Sequence, residues 1–375
     1  MRHRMLYVAM CLLAVVVPAL AETGELTVWS LPYEHAFPGG IALDDSFLYV
    51  AANGGREVFR LDPDQDVFRS WGVAEQPQDV VVADGVPFCT GRVNDSIVYF
   101  DPDGLSVSTA LVPFSGVDLG EIHRGPDTVD GHQVFWVAEG RVRGILRYEY
   151  DPTFAPTVSG TPRDAETIPA VAAVSAETVV AEHEVFSYNV DMIPEPEPFS
   201  VASSSPPFAE WRLPLDDEHG VTDLAVAEDG ILWISAGMPF LFRFDPEAGM
   251  LQMLETIQDV YIFQGLLPAP DGSIWFGNIV DGSIGHFHPE TGLSEVWRIP
   301  GVVEIYDLAF DAQGGIWFAD RVGSAIGRLM PSEDSAILYP LPEDSEPLYL
   351  AVDAAGVVWF SAGSGNYLGR LRAVP

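Results

Sequence analysis

Four aspartates each stand at the start of a short apolar segment, where carboxylates from different segments could act together. They are Asp79, Asp118, Asp223 and Asp307. Carboxylates within a few ångströms of one another repel, so a converging set needs a bound cation, hydrogen-bond donors or raised pKa values. Oxygen ligands suit a hard cation such as Ca²⁺ or Mg²⁺. We predict these four as candidate metal ligands; the alternative is that each caps its own turn by accepting backbone N–H bonds.

A second set of polar residues lies at the ends of aromatic segments or in the loops between apolar segments. The predicted ligand-binding residues are Glu139, Gln264, Asn278, Tyr306 and Asp320. His219 lies in one of these loops and is the candidate general base if the site is catalytic. His286 and His288 share one face of a predicted strand. Packing between repeated units is one interpretation of these two histidines, and metal ligation is another.

The chain repeats the segments that carry these residues. The template is clearest in GLLPAPDGSIWFGNIVDGSIGHFHPETG (265–292) and DLAFDAQGGIWFADRVGSAIGRLMPSED (307–334). Each copy reads as an apolar strand, a glycine-containing turn, an aromatic strand, a polar loop and a third strand. An outer strand such as SEVWRIP (294–300) follows. Short strands with turn residues at this spacing predict an all-β propeller of four-stranded blades.

The spacing of the copies predicts the number of blades. Copies begin at Gly40, Asp79, Asp118, Asp223, Gly265, Asp307 and Tyr349, so the steps are 39, 39, 105, 42, 42 and 42 residues. The step of 105 residues is too long for one blade, and residues 168–191 within it match the template in length. We therefore favour eight blades. The alternative is seven blades with a long, partly disordered insertion over residues 155–206.

The two ends of the chain carry separate signals. The last copy stops after its third strand, and LTVWSLP (26–32) has the shape of the missing outer strand, so we expect the N-terminal strand to close the ring. Residues 1–21 read as a signal peptide, with a positive start, an apolar run and a small-residue cleavage site. We thus expect an exported protein, periplasmic or secreted, with residues 22–375 as a single propeller domain and no membrane span after signal removal.

The charge is strongly negative and argues against two classes of partner. The chain has 55 acidic residues against 18 basic ones, a formal net charge of -37, and no lysine. Such a surface repels nucleic acid and anionic membranes. We expect a small molecule or a protein as the partner.

The pattern Gly-x-Ile/Val-Trp-Phe followed by Ile/Leu-Gly-Arg resembles the streptogramin B lyase (virginiamycin B lyase) propellers, and more distantly the gluconolactonase-like propellers. The resemblance is clearest over residues 220–371. It implies a propeller fold and, in the lyases, a magnesium ion with a histidine–glutamate group that opens a cyclic depsipeptide ester by elimination. Among the matching positions only Glu139 keeps the glutamate and only His219-Gly220 keeps the histidine entry, so the lyase group is not assembled in the family's pattern.

Three functions follow from these observations. The first is an exported propeller that binds a small ligand or a protein partner at one rim of its axial channel. The second is a divalent-metal-dependent lyase or lactone hydrolase, with Ca²⁺ or Mg²⁺ held by the aspartates and His219 as the base. The third is a structural surface-coat component.

Overall fold

The structure is a computed structural model of the chain. It describes residues 23–374 apart from 45, 74–75, 94, 103–105, 115, 117, 141–142, 154–157, 160–162, 188–193, 217–218, 239 and 256–262. The strands form seven antiparallel sheets arranged as the blades of a propeller. The prediction of eight blades is therefore wrong, and each sheet has five strands rather than four. The signal-peptide prediction falls on residues outside the described part.

Strand β1 spans Thr23–Ser30 and belongs to the last blade. The four inner strands of blades 1 to 3 are β2 Pro38–Asp44, β3 Phe47–Ala52, β4 Glu57–Asp62 and β5 Val67–Gly72; β6 Pro77–Ala83, β7 Val86–Gly91, β8 Ser96–Phe100 and β9 Ser106–Leu111; and β10 Leu119–Gly125, β11 Gln133–Glu139, β12 Gly144–Tyr150 and β20 Phe208–Arg212.

Blades 4 to 7 follow without a break in the blade order. Their strands are β21 Asp223–Val226, β22 Leu232–Ser235, β23 Phe240–Asp245 and β24 Met250–Glu255; β25 Phe263–Pro268, β26 Ile274–Asn278, β27 Ser283–His288 and β28 Leu293–Arg298; β29 Ile305–Phe310, β30 Ile316–Asp320, β31 Ala325–Met330 and β32 Ser335–Pro340; and β33 Pro347–Val352, β34 Val358–Ala362 and β35 Tyr367–Val374. A short 3₁₀-helix, Pro331–Glu333, joins β31 to β32.

The N-terminal strand completes blade 7. β1 pairs antiparallel with β35 along its whole length, from Thr23 opposite Val374 to Ser30 opposite Tyr367. Asn366, just before β35, donates from its side-chain amide to the carbonyl of Tyr33 at 2.9 Å. The first and last strands of the described part of the chain are therefore held in one sheet, which leaves no open seam between the first and last blades.

The long segment between β12 and β20 encircles the whole propeller. It contributes seven short strands: β13 Val158–Ser159, β14 Arg163–Glu166, β15 Ala170–Ser175, β16 Glu177–Val180, β17 Glu182–Ser187, β18 Glu197–Pro198 and β19 Ser203–Ser205. These strands add in turn to the outer edges of blades 2, 1, 7, 6, 5, 4 and 3. We call this segment, residues 158–205, the belt. It pairs the exposed edge of every blade, which would otherwise be open to another chain.

The belt explains why the sequence predicts one blade too many. Residues 168–191 have strand-like patterning and the length of a blade, but β15, β16 and β17 pair with three different blades. Side chains of β15 and β16 are almost all exposed. A blade must bury both of its faces against its neighbours, so a segment without a core-facing set of side chains cannot form one.

Apolar side chains fill the interfaces between neighbouring blades. Seven hydrophobic clusters each join two adjacent blades; one, for example, contains Trp29 and Trp359 with Leu48 and Phe59 of blade 1. Trp29 and Trp359 stack with ring centroids 5.9 Å apart. Among the described residues, no helix is long and apolar enough to cross a bilayer.

Candidate functional site in the axial channel

One position of each innermost strand faces the axial channel. Several of these strands carry a bulge just before this position, as between Pro77 and Val80 in β6 and between Leu119 and Ile122 in β10. Such irregularities re-aim a side chain. By strand register the residues at this position in blades 1 to 7 are Gly40, Asp79, Glu121, Asp223, Gly265, Asp307 and Tyr349. We call this set the channel ring.

Three aspartates of the channel ring join neighbouring blades. Asp79 accepts the amide of Val80 at 2.8 Å and that of Ile122, in blade 3, at 3.0 Å. Asp223 and Asp307 repeat the arrangement, each accepting the next residue's amide and one amide from the following blade, at 2.6–2.8 Å. The aspartates therefore act as inter-blade clasps, and both carboxylate oxygens of each already accept a backbone N–H.

Glycine stands in the channel ring at Gly40 and Gly265, and steric space is the reason. A Cβ on Gly40 would overlap the carboxylate of Asp79. A Cβ on Gly265 would lie 2.8 Å from the Cα of Asp307, and its φ of +60° further favours glycine. The clasps of blades 2 and 6 thus require a residue without a side chain in the preceding blade.

Glu121 is the acidic member of the channel ring that does not act as a clasp. Tyr349 donates to its Oε1 at 3.2 Å, and its carboxyl also hydrogen-bonds to that of Asp223. His123 lies two residues further along the strand, with Nε2 3.9 Å from Glu121 Oε2. That Nε2 is buried and has no hydrogen-bond partner among the described residues. Glu121, Asp223 and His123 therefore meet in the channel, where the Nε2 of His123 has no partner among the described residues and each carboxylate oxygen keeps a second lone pair.

Burial and mutual repulsion raise the pKa values of these carboxyls. Burial raises the pKa of Glu121 to about 7, reinforced by the charges of Asp79 and Asp307. Burial also raises the pKa of Asp307 to about 8, against the two amide bonds that lower it. The pKa of Asp223 rises well above its usual range because of burial and the adjacent Glu121. Two carboxyls in contact cannot both ionise readily, so Glu121 and Asp223 share a proton or need a cation.

The channel provides space beside these groups. A cavity of about 210 Å³ is lined by residues of all seven blades, including Glu121, His123 and Asp223. A second cavity of about 180 Å³ lies towards the rim and is bordered by Arg92 and Gln264. A larger cavity of about 940 Å³ lies at the outer side of blades 3 and 4. Because the channel combines concave space with perturbed carboxyls, we take it as the candidate site.

The channel residues fit some metal ions better than others. Glu121, His123 and Asp223 can each offer a ligand atom, and these atoms lie within 4.8 Å of one another. Two carboxylates with one imidazole suit Mn²⁺ or Zn²⁺, whereas Ca²⁺ and Mg²⁺ prefer oxygen ligands alone. The orphaned Nε2 of His123 agrees with a nitrogen ligand. The set therefore fits a divalent ion, and the magnesium ion implied by the family resemblance fits it less well.

Three of the four aspartates predicted as metal ligands occupy the channel ring, and the fourth does not. Asp79, Asp223 and Asp307 converge on the channel, as the repeat suggests. Asp118 instead lies three residues before the ring position and pairs with Arg92, Nε to Oδ1 at 2.6 Å. The blade 3 member of the ring is Glu121. The ligand roles of all four aspartates stay predictions.

Two of the three predicted residues at the ends of the second strands cap loops. Asp320 accepts the amides of Glu304 and Gly323, both at 3.0 Å. Asn278 accepts the amide of Val280 at 2.9 Å and donates to Asp281. Glu139 is fully buried with no hydrogen-bond partner among the described residues, and burial raises its pKa to about 9. None of Glu139, Asn278 and Asp320 lines the two channel cavities.

Of the three predicted loop residues, Tyr306 and Gln264 line the channel cavities and His219 does not. Tyr306 lines both channel cavities and packs edge-on against Tyr349, with centroids 5.4 Å apart. Gln264 lines the rim cavity and donates to the carbonyl of Thr222 at 2.9 Å. His219 contacts Asp216 at 2.5 Å in a rim loop and lines neither channel cavity.

Glu121, His123 and Tyr349 are the channel residues that the sequence reading did not select as ligands. The sequence does contain a pattern that places Glu121 and His123 in the channel. Leu119-Gly120-Glu121-Ile122-His123 matches Pro77-Gln78-Asp79-Val80-Val81 when the apolar residues are aligned, but the Asp-Leu pair at 118–119 imitates the Asp-Leu of 223–224. An alignment on that pair puts Asp118 at the ring position of blade 3, three residues before the true ring residue, Glu121.

No family model and no curated protein matches the chain. Solved structures do. A streptogramin B lyase superposes with a TM-score of 0.67 at 16% identity, over 94% of this chain and 98% of that one. Virginiamycin B lyase from Staphylococcus aureus gives 0.68 at 16% identity, over 94% and 100%. YCF48 bound to D1 peptide gives 0.59 at 12% identity, over 93% and 97%. At these identities the likeness shows the propeller fold alone.

Proposed function

We propose that the protein is a ligand-binding propeller that holds a divalent cation in its axial channel through Glu121, His123 and Asp223. The observation that carries the proposal is that ligand atoms of Glu121, His123 and Asp223 lie within 4.8 Å of one another, while the buried Nε2 of His123 has no hydrogen-bond partner among the described residues. A cation there would replace the shared proton and neutralise a cluster that includes Asp79 and Asp307.

The bound ion would form the floor of a pocket for a small ligand. Tyr306, Gln264 and Arg92 border the rim cavity directly above it. Arg92 and the amide of Gln264 can donate hydrogen bonds, while an open coordination position on the ion would accept an oxygen of the ligand. An oxygen-rich small molecule therefore suits this site best, with a protein loop entering the same cavity as the alternative partner.

Metal titration tests the proposal. We would titrate Mn²⁺ into the chelator-treated protein by calorimetry, then repeat the titration on Glu121→Gln and His123→Gln, with Asp118→Asn as the matched rim control. We expect saturable binding, weakened about tenfold or more by either channel substitution and unchanged in the control. Absence of binding to the wild-type protein, or an affinity in both channel variants equal to that of the wild-type protein, would falsify the proposal.

A metal-dependent lyase or lactone hydrolase is the second candidate. The whole-chain likeness to the lyases and the proximity of His123 to Glu121 favour it. The test is incubation with quinupristin, the compound bound to an inactive virginiamycin B lyase in one similar structure. Elimination would give a linear product of unchanged mass, whereas hydrolysis would add one water. His219→Ala would test the rim histidine as base, and an intact substrate after prolonged incubation with Mn²⁺ or Mg²⁺ argues against this activity on that substrate.

Export is part of the proposal and has its own support. Residues 1–21 carry the charge and hydropathy pattern of a signal peptide. N-terminal sequencing of the protein recovered from the periplasm or the medium would test it: a mature start close to residue 22 is expected, and an intact Met1 in the cytoplasm would count against it.

A further inference from the structure

A histidine cluster lies in the outer part of blade 5, away from the channel. His286 and His288 come from β27, Glu295 from β28 and His183 from the belt strand β17. His286 pairs directly with Glu295 across the strands, and His183 Nε2 lies 3.3 Å from Glu295 Oε1. Three adjacent strands thus bring three imidazoles around one carboxylate, although β17 is more than 90 positions from β27 in the chain.

Blade 5 departs from its neighbour at three contacting positions. In blade 6, Arg328 donates from Nε to Asp311 at 2.7 Å, and Asp311 also accepts from Trp317 at 3.1 Å. By register, His286 replaces that arginine, Ala269 replaces the aspartate, and Ser273 replaces Gly315. His286 also stacks on Trp275 at 3.8 Å. Blade 5 has therefore exchanged a fixed positive charge for a group that can bind a metal.

The hydrogen bonds around His286 leave one of its nitrogens facing an oxygen. The hydroxyl of Ser273 lies 2.6 Å from Asp271 and must donate to it, since a carboxylate only accepts. His286 Nε2, 2.8 Å from the same hydroxyl, must then donate its own proton. His286 Nδ1 lies 3.2 Å from Glu295 Oε2. In a neutral imidazole with its proton on Nε2, Nδ1 is an acceptor. Two acceptors, Nδ1 and the oxygen of Glu295, therefore face each other with no proton between them.

A cation at this point resolves the conflict. A second proton on His286, which would make it an ion pair with Glu295, is one such cation, and a metal ion is the other. His286, His288 and Glu295 can each offer a ligand atom, all within 4.8 Å of one another. A separation of 3.2 Å between two ligand atoms is about that of neighbouring ligands in tetrahedral coordination at bond lengths of about 2.0–2.1 Å.

His183, from the belt, approaches this set through Glu295: its Nε2 lies 3.3 Å from Glu295 Oε1, although His183 is outside the group of three whose ligand atoms all lie within 4.8 Å of one another. Its Nδ1 lies 3.0 Å from Asp334 Oδ1, and the same oxygen accepts from Trp297 Nε1 at 3.0 Å. Its ring stacks on Trp297 with centroids 4.4 Å apart. Because Nδ1 donates its proton to the carboxylate of Asp334, the lone pair of the imidazole lies on Nε2, where it can bind a metal. A carboxylate on the opposite ring nitrogen is a common partner of a metal-binding histidine.

We propose that His286, His288, Glu295 and His183 form a structural zinc-class metal site that fastens the belt to blade 5. Three imidazoles and one carboxylate suit Zn²⁺, and Co²⁺ as its spectroscopic substitute. The separations of His286 Nδ1 and His183 Nε2 from the oxygens of Glu295, 3.2 and 3.3 Å, are close to those of neighbouring ligands in tetrahedral coordination. The site is independent of the axial channel, and its function is to hold β17 against β28, in addition to the six-residue ladder and the ion pair of Glu184 with Arg298.

The test uses the full mature chain carrying Glu121→Gln, so that channel binding does not interfere. Zn²⁺ is titrated into the chelator-treated protein by calorimetry, and Co²⁺ is titrated to record the visible bands of tetrahedral cobalt. We expect one equivalent of Zn²⁺, tetrahedral Co²⁺ bands, and hydrogen-exchange protection of β17 on metal addition. Glu295→Gln and His183→Gln should each weaken binding about tenfold or more. His132→Gln, another histidine near two carboxylates, is the control.

Two outcomes would overturn the proposal. One is the absence of saturable Zn²⁺ binding in a protein that melts cooperatively. The other is Zn²⁺ binding that Glu295→Gln and His183→Gln leave unchanged. A loss of binding in Glu295→Gln alone, with unchanged exchange in β17, would overturn the assignment of His183 and the fastening of the belt. Circular dichroism of each variant shows that a loss of binding does not reflect a loss of fold.

Discussion

Tyr349 donates a hydrogen bond from its hydroxyl across the axial channel to Glu121 Oε1, at 3.2 Å. The two residues are 228 positions apart in the chain and belong to blades 7 and 3. They occupy the same position in their blades, so the contact exists only because the ring is closed. It holds Glu121 in place beside Asp223 and gives the acidic channel one of its few hydroxyl donors.

Tyr349→Phe should destabilise the protein by about 0.5–1.5 kcal/mol, because it removes one hydrogen bond to a buried carboxyl. The loss should be larger at pH 8 than at pH 5, since Glu121 is more ionised there and a charged acceptor makes the stronger bond. Urea unfolding of the wild-type protein and the variant at the two pH values measures this difference in the free energy of unfolding. Equal loss at both would mean that Glu121 does not titrate in this range.

Asp79→Ala should cost about 1–3 kcal/mol, because it leaves the buried amides of Val80 and Ile122 without their acceptor. Asp130→Ala, an exposed aspartate in the loop between β10 and β11, is the matched control and should stay within about 0.5 kcal/mol of the wild-type protein. A thermal melt of both compares them. Equal stability of the two variants would contradict the role of Asp79 as an inter-blade clasp.

Stability should fall as the pH rises from about 5 to 9. The folded-state pKa values of Glu121 and Glu139 are raised to about 7 and about 9, above an ordinary value near 4. Between the unfolded and the folded pKa the native state binds more protons than the unfolded state, so each unit of pH in that window lowers stability. Thermal unfolding at constant ionic strength with a chelator present tests this. A rise in melting temperature from pH 5 to pH 8 would contradict it.

Glu139→Gln should stabilise the protein at pH 8, by on the order of 1 kcal/mol, and should have less effect at pH 5. The glutamate must take up a proton to stay in its buried position, whereas glutamine is neutral at every pH. The difference in melting temperature between wild type and variant at the two pH values is the measurement. A variant that is less stable than wild type at pH 8 would indicate that the ionised carboxylate is needed.

Removal of the belt should leave the propeller intact but prone to association. β12 and β20 are already neighbours, with Tyr148 opposite Phe208, so a short Gly/Ser linker can replace residues 151–205. Ring closure by β1 is unaffected, but seven outer edges lose their partner strands. We expect a folded β-protein by circular dichroism that melts lower and forms oligomers in size-exclusion chromatography. A monodisperse monomer with unchanged melting temperature would show that the belt does not protect the edges.

The sequence by itself determined the blade and its periodic parts. The Trp-Phe strand, the glycine turn and the Ile-Gly-Arg strand are local patterns set by strand alternation and turn geometry, so they predict propeller blades and place Asp79, Asp223 and Asp307 at equivalent positions. Local patterns carry no information on which sheet edge a strand joins. Residues 168–191 therefore have the length of a blade, while their pairing with three different blades depends on edges far away in the chain.

The channel and the histidine cluster were decided by the tertiary structure. Blade 3 contributes Glu121 rather than Asp118 because the ring position lies within the register shift between Leu119 and Ile122, as it does between Pro77 and Val80 in β6; the matching Asp-Leu pairs hide this equivalence in the sequence. His183 meets Glu295 because the belt runs around the ring and reaches blade 5 from outside. Ring closure brings Tyr349 to Glu121 for the same reason: such contacts join residues whose separation in the chain is far longer than any repeat, and only the packed ring fixes their distance.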